Sequence, residues 1–503
     1  MRWSIHIISL SLIYPDNRIS MSIQKSIKSL VSDSLIYGIA GVISRFIGFF
    51  LTPLYTRVYS PSDYGVLGML NNGYMLVTII LILALDNSTA RWFYDTENYD
   101  DRKKSINTWL WFYLFFSAVA AISLFSGAHF ISGLLFDHSV EGYLYIRILS
   151  ITLPVMIWMG VANNVLRFER KVWPTVSLSL LYTLTLIGFN VVFVLILNWG
   201  LMGAFYAQLG AALISMPLSI YLIRSWLGSI HFFEFSRLGQ MIRYSIPFVP
   251  ASIAYWLVNL SGVFFVNAYL SESEAGLYHI GISIAAVAGL GTTSFQQAWS
   301  PFAFSIINQP NARHIYANVF NLYVLGMGGF CMLVSLFAPE VLILLTTPEY
   351  YNAAWVISIL SFGYLAIGLT SIADLGTAIV KKTAPLGIVS VLSAVLLIIL
   401  NILFIPAFGK EGAALSICIS QFIVPFIMFY ISQKVYPIPY NFKKAILASM
   451  LIIIASVSGR MIHTGQFFID LSIKLLILLA VLLFLYIINK SYIKQAFLIF
   501  KQN

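Results

Sequence analysis

Arg45 places a full positive charge near the middle of an apolar run that extends from Ser34 to Thr56. A cation at the centre of a bilayer costs about 2.5–3.5 kcal/mol on the insertion scale, so this side chain must face a protein interior or a wet cavity. Three- and four-residue steps put small residues on the same helical face: Ser34, Gly38, Gly41, Gly48 and Thr52. Two interpretations stay open: an ion pair that joins two helices, and a cationic lining for an anion that crosses a membrane.

The composition is typical of a polytopic helical membrane protein. Hydrophobic residues make up 59% and charged residues 10% of the 503 residues, and the mean hydropathy is +0.88. Soluble domains carry about 25% charged residues. The net charge of +10 does not indicate binding to nucleic acid, because Lys and Arg lie between the apolar runs instead of in one patch. Cys331 and Cys418 lie within apolar runs, so no disulfide framework is expected.

Apolar runs that are long enough to cross a bilayer, which takes roughly 20 helical residues, recur along the whole chain. The predicted spans are 34–56, 65–90, 106–126, 145–167, 173–197, 201–224, 243–269, 275–299, 315–337, 353–379, 385–407, 412–433, 443–462 and 468–489. The sequence therefore predicts an all-α membrane protein with about fourteen transmembrane helices.

The basic residues predict the orientation of these spans. Turns that follow even-numbered spans carry most of the Lys and Arg, including the cluster at 102–104. The opposite turns hold Arg57, Lys410 and Arg460 together with several glutamates. Both termini are therefore expected in the cytoplasm.

The first twenty residues resemble neither a membrane span nor a signal peptide. The apolar stretch from Trp3 to Tyr14 is too short to cross a bilayer and has no small-residue cleavage site after it. Met21 offers a second start, ahead of the basic segment SIQKSIKSL. We expect translation to begin at Met21, or residues 1–20 to form an unstructured or interfacial extension.

The chain also repeats itself. SPSDYG at 60–65 returns as SESEAG at 271–276, a shift of 271 − 60 = 211 residues. The same register aligns further pairs: Arg102 with Arg313, Pro174 with Pro385, Asn190 with Asn401 and, after a loss of two residues, Gly203-Ala204 with Gly412-Ala413. Two homologous six-helix lobes follow, inserted the same way round and related by a pseudo-two-fold axis along the membrane normal.

The repeat divides the chain into five parts. They are an N-terminal extension at 1–33, an N-lobe at 34–226, a cytoplasmic linker at 227–242, a C-lobe at 243–436, and a last helix pair with a cytoplasmic tail at 437–503. Parallel repeats place a substrate site between the lobes, lined by the first helices of each.

The shift of 211 pairs polar residues of the two lobes. It sets Arg45 against Trp256, Gly48 against Asn259, Asp86 against Gln297 (beside Gln296), and Asn163 against Asp374. Simpler readings stay open for several of these residues: interfacial solvation for Asp86, an ion pair with Lys381 for Asp374, packing for Trp256, and a membrane anchor for Arg243, which precedes span seven.

Several kinds of chemistry have no signature in the sequence. There is no GxxxxGK[ST] motif, so the chain is not an ATPase by itself. No paired Cys or His has metal-ligand spacing, and no Ser/His/Asp set lies in a large loop. We therefore expect no enzyme activity, metal or cofactor.

The two lobes, the extra helix pair and the pattern SDSLIYGIAGVISRFIGFFLTPLYTRVYSPSDYG together resemble the polysaccharide-export branch of the multidrug/oligosaccharidyl-lipid/polysaccharide superfamily. Within that branch the chain is most similar to Wzx-type O-antigen flippases. The resemblance covers Met21 to Lys490 and is most specific from Ser44 to Gly65. It implies a MATE-like fold and a flippase that moves a polyprenyl-diphosphate-linked glycan from the cytoplasmic to the outer leaflet of a bacterial inner membrane.

The resemblance also implies roles for the polar residues. Arginine binds phosphate oxygens through a bidentate fork, so the cations would hold the diphosphate: Arg45, Arg91 and Arg243. The glycan would contact an indole and amides: Trp256, Asn259, Gln296 and Gln297. A coupling proton or sodium ion would bind Asp86 or Asp374. The lipid tail would stay in the bilayer, outside a lateral opening between the lobes.

The expected partners are membrane lipids and the polymerase and chain-length regulator of the same pathway, and the chain is expected to be a monomer. Two rival functions stay open. A cation-coupled drug antiporter of the same fold would prefer an acidic or aromatic cavity. A membrane-bound polymerase or glycosyltransferase would need a catalytic carboxylate or a large outer loop.

Overall fold

The computed structural model describes residues 51–136, 142–380, 382, 384–462 and 464–502, and these residues form helices and turns with no strand among them. Eleven helices in this described part are long and apolar enough to cross a membrane. The prediction of an all-α polytopic membrane protein is confirmed. The predicted first span, 34–56, lies outside the described residues up to residue 50, so the number of fourteen spans stays a prediction.

Helix bounds follow the apolar runs closely. The α-helices are α1 (Pro61–Ile82), α2 (Leu85–Asp95), α3 (Tyr99–Ser126), α4 (Ala128–Leu135), α5 (Gly142–Phe168), α6 (Val172–Asn190), α7 (Gly200–Ile223), α8 (Phe235–Ser245), α9 (Val249–Leu260), α10 (Gly262–Tyr269), α11 (Glu272–Ser305), α12 (Ala312–Leu336), α13 (Ala338–Leu345), α14 (Ala354–Ala373), α15 (Leu375–Ile379), α16 (Ala384–Val435), α17 (Phe442–Met461) and α18 (Phe467–Gln502). Residues 51–58 are also helical. A π-helix at Val191–Ile196 continues α6, and 3₁₀ turns lie at Ile230–Phe232, Ile246–Phe248 and Pro348–Ala353.

The repeated motif is a helix start in both copies. The Ser60 side chain accepts a hydrogen bond from the Asp63 N–H, and the Asp63 carboxylate accepts one from the Ser60 N–H. This reciprocal capping box and Pro61 at the first helical position fix the start of α1. In the second copy, Ser271 caps α11 by accepting from the Glu274 N–H.

The predicted span at 65–90 is interrupted. Leu83 and Ala84 have φ angles of 48° and 52°, in the left-handed region. This conformation costs roughly 1–2 kcal/mol for each residue other than glycine, and residues 80–90 around the break contain neither Gly nor Pro. The expectation of one continuous helix is corrected here, because contacts made by other helices override the local preference.

Glycine and proline explain the other departures from straight spans. The predicted span at 243–269 contains the end of α8, the 3₁₀ turn at Ile246–Phe248, α9 and α10. Pro247 and Pro250 lie near the junction of α8 and α9, where a proline removes a backbone N–H. The predicted spans at 385–407 and 412–433 are the two helical parts of α16, separated by Gly409, whose φ of 63° is not helical. Glycine adopts this angle without a steric penalty.

The sequence repeat is visible in the packing. Gly203 on α7 lies against the carbonyl oxygen of Phe193, and Gly412 on α16 lies against the carbonyl oxygen of Phe404. Phe404 is the counterpart of Phe193, since 193 + 211 = 404. The same close approach of two helices is therefore built at equivalent places in both halves.

The two halves meet through equivalent helices. Helix α1 packs against α11 at the centre of the molecule and also contacts α9 and α10. In the N-terminal half, α5 packs between α3 and α7, and in the C-terminal half α14 packs on α11, α12 and α16. The last pair, α17 and α18, packs on α12, at the edge of the C-terminal half.

A buried ion pair holds the last helix to the C-terminal half. Lys474 on α18 pairs with Glu340 on α13, and their side chains are only 3% and 9% exposed. Removing one partner of a buried pair typically costs about 3–5 kcal/mol, because the other charge is left unpaired. We therefore expect Lys474→Met to lower the thermal unfolding temperature of the purified protein in detergent. The double variant with Glu340→Leu should recover most of that loss, and an unchanged unfolding temperature for the single variant would contradict the ion-pair account.

The predicted orientation can be tested at two exposed serines. Ser273 lies in the first turn of α11, and Ser236 lies in the first turn of α8. A cysteine at Ser273 should react with a membrane-impermeant maleimide added to whole cells, and one at Ser236 should react only after the membrane is permeabilised. The reverse pattern would overturn the orientation.

Candidate functional site

The repeated motifs contact each other at one end of the bundle, which we call the outer end, following the predicted orientation. Gly65 on α1 packs against the carbonyl oxygen of Glu272, and Gly276 on α11 packs against the carbonyl oxygen of Pro61. The two contacts are equivalent, since 65 + 211 = 276 and 61 + 211 = 272. A Cβ atom at either glycine would overlap the facing main chain, so only glycine allows this approach.

Hydrogen bonds between the halves repeat this symmetry. The Thr56 hydroxyl donates to the carbonyl of Leu345 at 3.1 Å, and the Asn267 amide donates to the carbonyl of Leu135 at 3.0 Å. Thr56 and Asn267 are counterparts, since 56 + 211 = 267. Each half thus reaches the last residue of a short helix of the other half, Leu345 of α13 or Leu135 of α4.

Three further contacts complete what we call the outer contact, the packing of residues 56–65 on residues 272–276 and 345–350. The Thr347 hydroxyl donates to the Thr56 carbonyl at 3.2 Å, and the Tyr350 hydroxyl donates to the Tyr59 carbonyl at 2.7 Å. The Ser62 hydroxyl donates to the Glu272 carboxylate at 2.9 Å. The outer end is therefore closed by main-chain contact and hydrogen bonds.

The buried cores differ between the two ends. Near the outer contact, residues of both halves belong to one apolar cluster, including Tyr64 and Leu67 of α1 with Tyr278 of α11. At the inner end a separate cluster, with Leu85 and Trp109, is formed by the N-terminal half and the linker. In the part of the chain that the structure describes, the halves are packed together at the outer end and keep separate cores at the inner end.

Two of the three predicted phosphate-binding cations lie on α2 and α8, which pack together at the inner end. The Arg91 guanidinium on α2 lies 5.5 Å from the centre of the Tyr244 ring on α8 and 3.5 Å from the Asp95 carboxylate. Arg243 precedes Tyr244 in α8, and both arginines are exposed. The third predicted cation, Arg45, lies outside the described residues.

Charge pairs fix the linker helix α8 to the N-terminal half. The Arg237 guanidinium lies 2.7 Å from the Asp101 carboxylate on α3 and 2.9 Å from the Glu234 carboxylate. Lys104 lies 2.8 Å from Glu234. The hydrogen bond from Lys104 and the charge of Arg237 lower the pKa of Glu234 below its usual value. These pairs fix the position of α8, which carries Arg243, relative to the N-terminal half.

Trp256 lies between the halves, and its hydrogen-bonding group is occupied. Its side chain is 7% exposed, and its indole N–H donates to the carbonyl of Asn72 on α1 at 2.8 Å. The Asn72 amide in turn donates to the carbonyl of Leu260 at 3.1 Å. In this state Trp256 joins α9 to α1, so contact with a ligand requires this hydrogen bond to open.

Asn259 lies one turn after Trp256 on α9. Its side-chain oxygen accepts from the amide of Gln421 on α16 at 3.1 Å, and its amide donates to the Tyr255 carbonyl at 2.8 Å. Both amide side chains are half-buried. They form a polar pair within the apolar span of the C-terminal half.

The structure brings Gln296 to the end of α14, near Asp374. The Gln296 amide donates to the Ser371 hydroxyl at 2.8 Å, and Ser371 lies in the last turn of α14, three residues before Asp374, which separates α14 from α15. The Thr377 hydroxyl donates to the Asp374 carboxylate. Gln297 is exposed on α11, and Asp86 is half-buried in the first turn of α2. Lys381, the alternative partner for Asp374, lies outside the described residues.

Sequence reasoning missed three amides of the apolar spans. They are Asn71, Gln208 and Gln421. The Gln208 amide on α7 donates to the side-chain oxygen of Asn71 on α1 at 3.3 Å, which gives the N-terminal half an amide pair of its own. A polar amide inside an apolar run was the signal that could have found all three residues.

The comparison with known families identifies the class of the chain. The sequence profile of the family described as "Polysaccharide biosynthesis protein" matches residues 30–307, which is more than half of the chain. The chain belongs to this family, and the resemblance inferred from the N-terminal pattern is confirmed.

Individual relatives are distant. The chain is 21% identical over 302 residues to a protein of Haloferax volcanii described as "Probable low-salt glycan biosynthesis flippase Agl15", and the alignment covers 58% of this chain and 62% of that relative. The fold is similar to that of the lipid II flippase MurJ in an inward closed conformation, with a TM-score of 0.69, 16% identity, and coverage of 91% of this chain and 100% of that structure. It is also similar to an inward-facing MATE-family multidrug resistance transporter, with a TM-score of 0.63, 15% identity, and coverage of 78% and 94%. These similarities confirm the MATE-like fold.

Proposed function

We propose that the chain is a flippase that moves a polyprenyl-diphosphate-linked glycan, such as an O-antigen or another surface polysaccharide repeat unit, from the cytoplasmic to the outer leaflet of a bacterial inner membrane. The proposal is carried by one observation: in a member of the polysaccharide biosynthesis family, the outer contact closes one end while Arg91 and Arg243 lie exposed at the other. Such an arrangement suits a carrier that accepts an anionic headgroup from the inner side.

The charge of the substrate explains why a protein is needed. A diphosphate with about two negative charges cannot enter hydrocarbon unaided, because an unpaired ion loses its hydration there. Arginine offers planar paired donors for phosphate oxygens. We therefore assign Arg91 and Arg243 to capture of the diphosphate at the inner end, and Arg45 to its passage at mid-membrane depth.

The glycan needs polar partners within the membrane. The pairs Asn259 with Gln421 and Asn71 with Gln208 supply amides on both halves, and Gln296, Gln297 and Trp256 complete the set that we assign to sugar contacts. The lipid tail remains in the bilayer. The five-part division of the chain, with lobes at 34–226 and 243–436, stays part of this proposal.

Alternating access needs an energy source. We propose that a proton or sodium ion is coupled through Asp86 or Asp374, the half-buried carboxylates named above. The product then passes to the polymerase and chain-length regulator of the same pathway, and the chain works as a monomer.

Deletion of the gene in its native host tests the function. We expect a lipid-linked glycan to accumulate on the cytoplasmic face of the membrane and surface polysaccharide to be lost, with both effects reversed by the gene on a plasmid. Normal surface polysaccharide, or a change in drug sensitivity without any lipid-linked glycan, would contradict the proposal.

A further inference from the structure

The break between α1 and α2 is stabilised by a residue of another helix. The Tyr113 hydroxyl on α3 donates a hydrogen bond to the carbonyl of Ile82 at 2.6 Å, and Tyr113 is only 3% exposed. Ile82 is the last residue of α1, so its carbonyl loses its partner within the helix when the helix stops. Tyr113 therefore supplies the hydrogen bond that a continuous helix would have made.

The first turn of α2 makes hydrogen bonds of its own. The Asn87 N–H donates to the Ala84 carbonyl at 3.1 Å, and the hydroxyls of Ser88 and Thr89 donate to the Leu85 carbonyl. Asp86 is the acidic residue in the first turn of α2. A negative charge at this position stabilises a helix start.

The other half of the repeat provides an internal comparison. The counterpart of Tyr113 is Val324, since 113 + 211 = 324, and the counterpart of Asp86 is Gln297, since 86 + 211 = 297. Helix α11 carries Gln297 and runs unbroken from Glu272 to Ser305. The half that carries Tyr113 and Asp86 has the break. The half that carries Val324 and Gln297 at the equivalent positions has a continuous helix.

We propose that Leu83–Ala84 is a hinge at which α2 bends away from α1 in this state. Tyr113 and the charge of Asp86 stabilise the bent form, and α2 realigns with α1 when the inner end closes. This inference rests on the proposed function in one respect: occupation of Asp86 by the coupling ion neutralises the charge that supports the start of α2. Ion binding and helix movement are thereby linked.

The charged groups near the hinge contact residues other than Asp86 or are exposed. Arg91, on α2 itself, pairs with Asp95 and lies over Tyr244 of α8. Arg102 of α3 lies 4.7 Å from the centre of the Phe93 ring. On α8, Arg237 pairs with Asp101 and Glu234, and Arg243 is exposed, as is Arg167 near the end of α5. Because α2 carries Arg91, realignment of α2 moves one of the cations at the inner end.

A distance between two spin labels tests the hinge without any substrate. Met75 on α1 and Asp95 on α2 are exposed, and a straight helix would separate their backbones by about 30 Å. With Cys331 and Cys418 replaced by alanine, we expect cysteine-linked labels at the two sites to show a shorter distance in the full chain. Tyr113→Phe and Asp86→Asn should each shift the population towards about 30 Å.

Tyr323→Phe is the matched control. Tyr323 is also buried, and its hydroxyl donates to the Leu365 carbonyl at 3.3 Å in the half without a break. This variant should leave the distance between the labels unchanged. The hinge is wrong if neither Tyr113→Phe nor Asp86→Asn changes the distance, or if Tyr323→Phe changes it as much. If the two variants shift the distance but deletion of the gene leaves surface polysaccharide normal, the hinge is correct and the proposed function is wrong.

Discussion

Gly65→Leu should abolish glycan export while the protein still reaches the membrane in normal amounts. The facing atoms at Gly65 belong to the main chain of Glu272 and cannot move aside as a flexible side chain would. Overpacking of this kind costs up to about 3 kcal/mol in ordinary cores, and every 1.4 kcal/mol is about a tenfold change in population. The outer-closed state should therefore lose about a hundredfold in population, and transport that needs this state should stop.

The matched control is Gly188→Leu on α6, where an added Cβ would have no atom within 4 Å. It introduces the same side chain into a helix but should leave export unchanged. Surface polysaccharide and membrane abundance are measured on both variants. Surface polysaccharide should be lost in the Gly65→Leu protein at normal membrane abundance. Normal export by that protein would show that the outer contact need not close.

Arg45→Ala should also nearly abolish export, with membrane abundance unchanged. This prediction comes from the sequence alone: a cation at mid-membrane depth beside Gly41 and Gly48 is expected to face a cavity. Arg45→Lys should keep part of the activity, because the charge remains while the bidentate fork is lost. Arg57→Ala, twelve residues later and exposed, serves as the control and should export normally.

The structural interpretation of Arg45 makes a different prediction. If Arg45 forms a buried ion pair, Arg45→Ala leaves a carboxylate unpaired and costs about 3–5 kcal/mol of stability. Abundance would then fall, and export would fall in proportion to it. Measuring both quantities on the same variant distinguishes a phosphate-binding arginine from a structural one.

Fold class and repeat could be predicted because both depend on local patterns. Apolar runs set the helices, and Ser60 and Ser271 start equivalent helices in the two halves. The contact between Gly65 and Gly276 could not be predicted, since a repeat shows which residues are equivalent but not that they touch. Only the arrangement of the halves about the pseudo-two-fold axis brings the two motifs together.

The roles assigned to the candidate site residues stay predictions. Arg91 and Arg243 lie on α2 and α8, which pack together at the inner end. The Asn72 carbonyl that binds Trp256 belongs to the main chain of the other half and leaves no sequence signal. The break at Leu83–Ala84 was also hidden. Its partner, Tyr113, comes from another helix, and no glycine or proline marks the site.

The central claim is that this chain alone moves a lipid-linked glycan across a bilayer. Its most direct test uses the purified protein in sealed vesicles that carry a fluorescent polyprenyl-diphosphate oligosaccharide in both leaflets, with an impermeant glycan-cleaving enzyme added outside. We expect vesicles with the protein to expose nearly all of the labelled lipid to cleavage, and vesicles with the Arg45→Ala protein to expose only the outer half. Cleavage that stops at half in vesicles with the unchanged protein, under either a proton or a sodium gradient, would contradict the account.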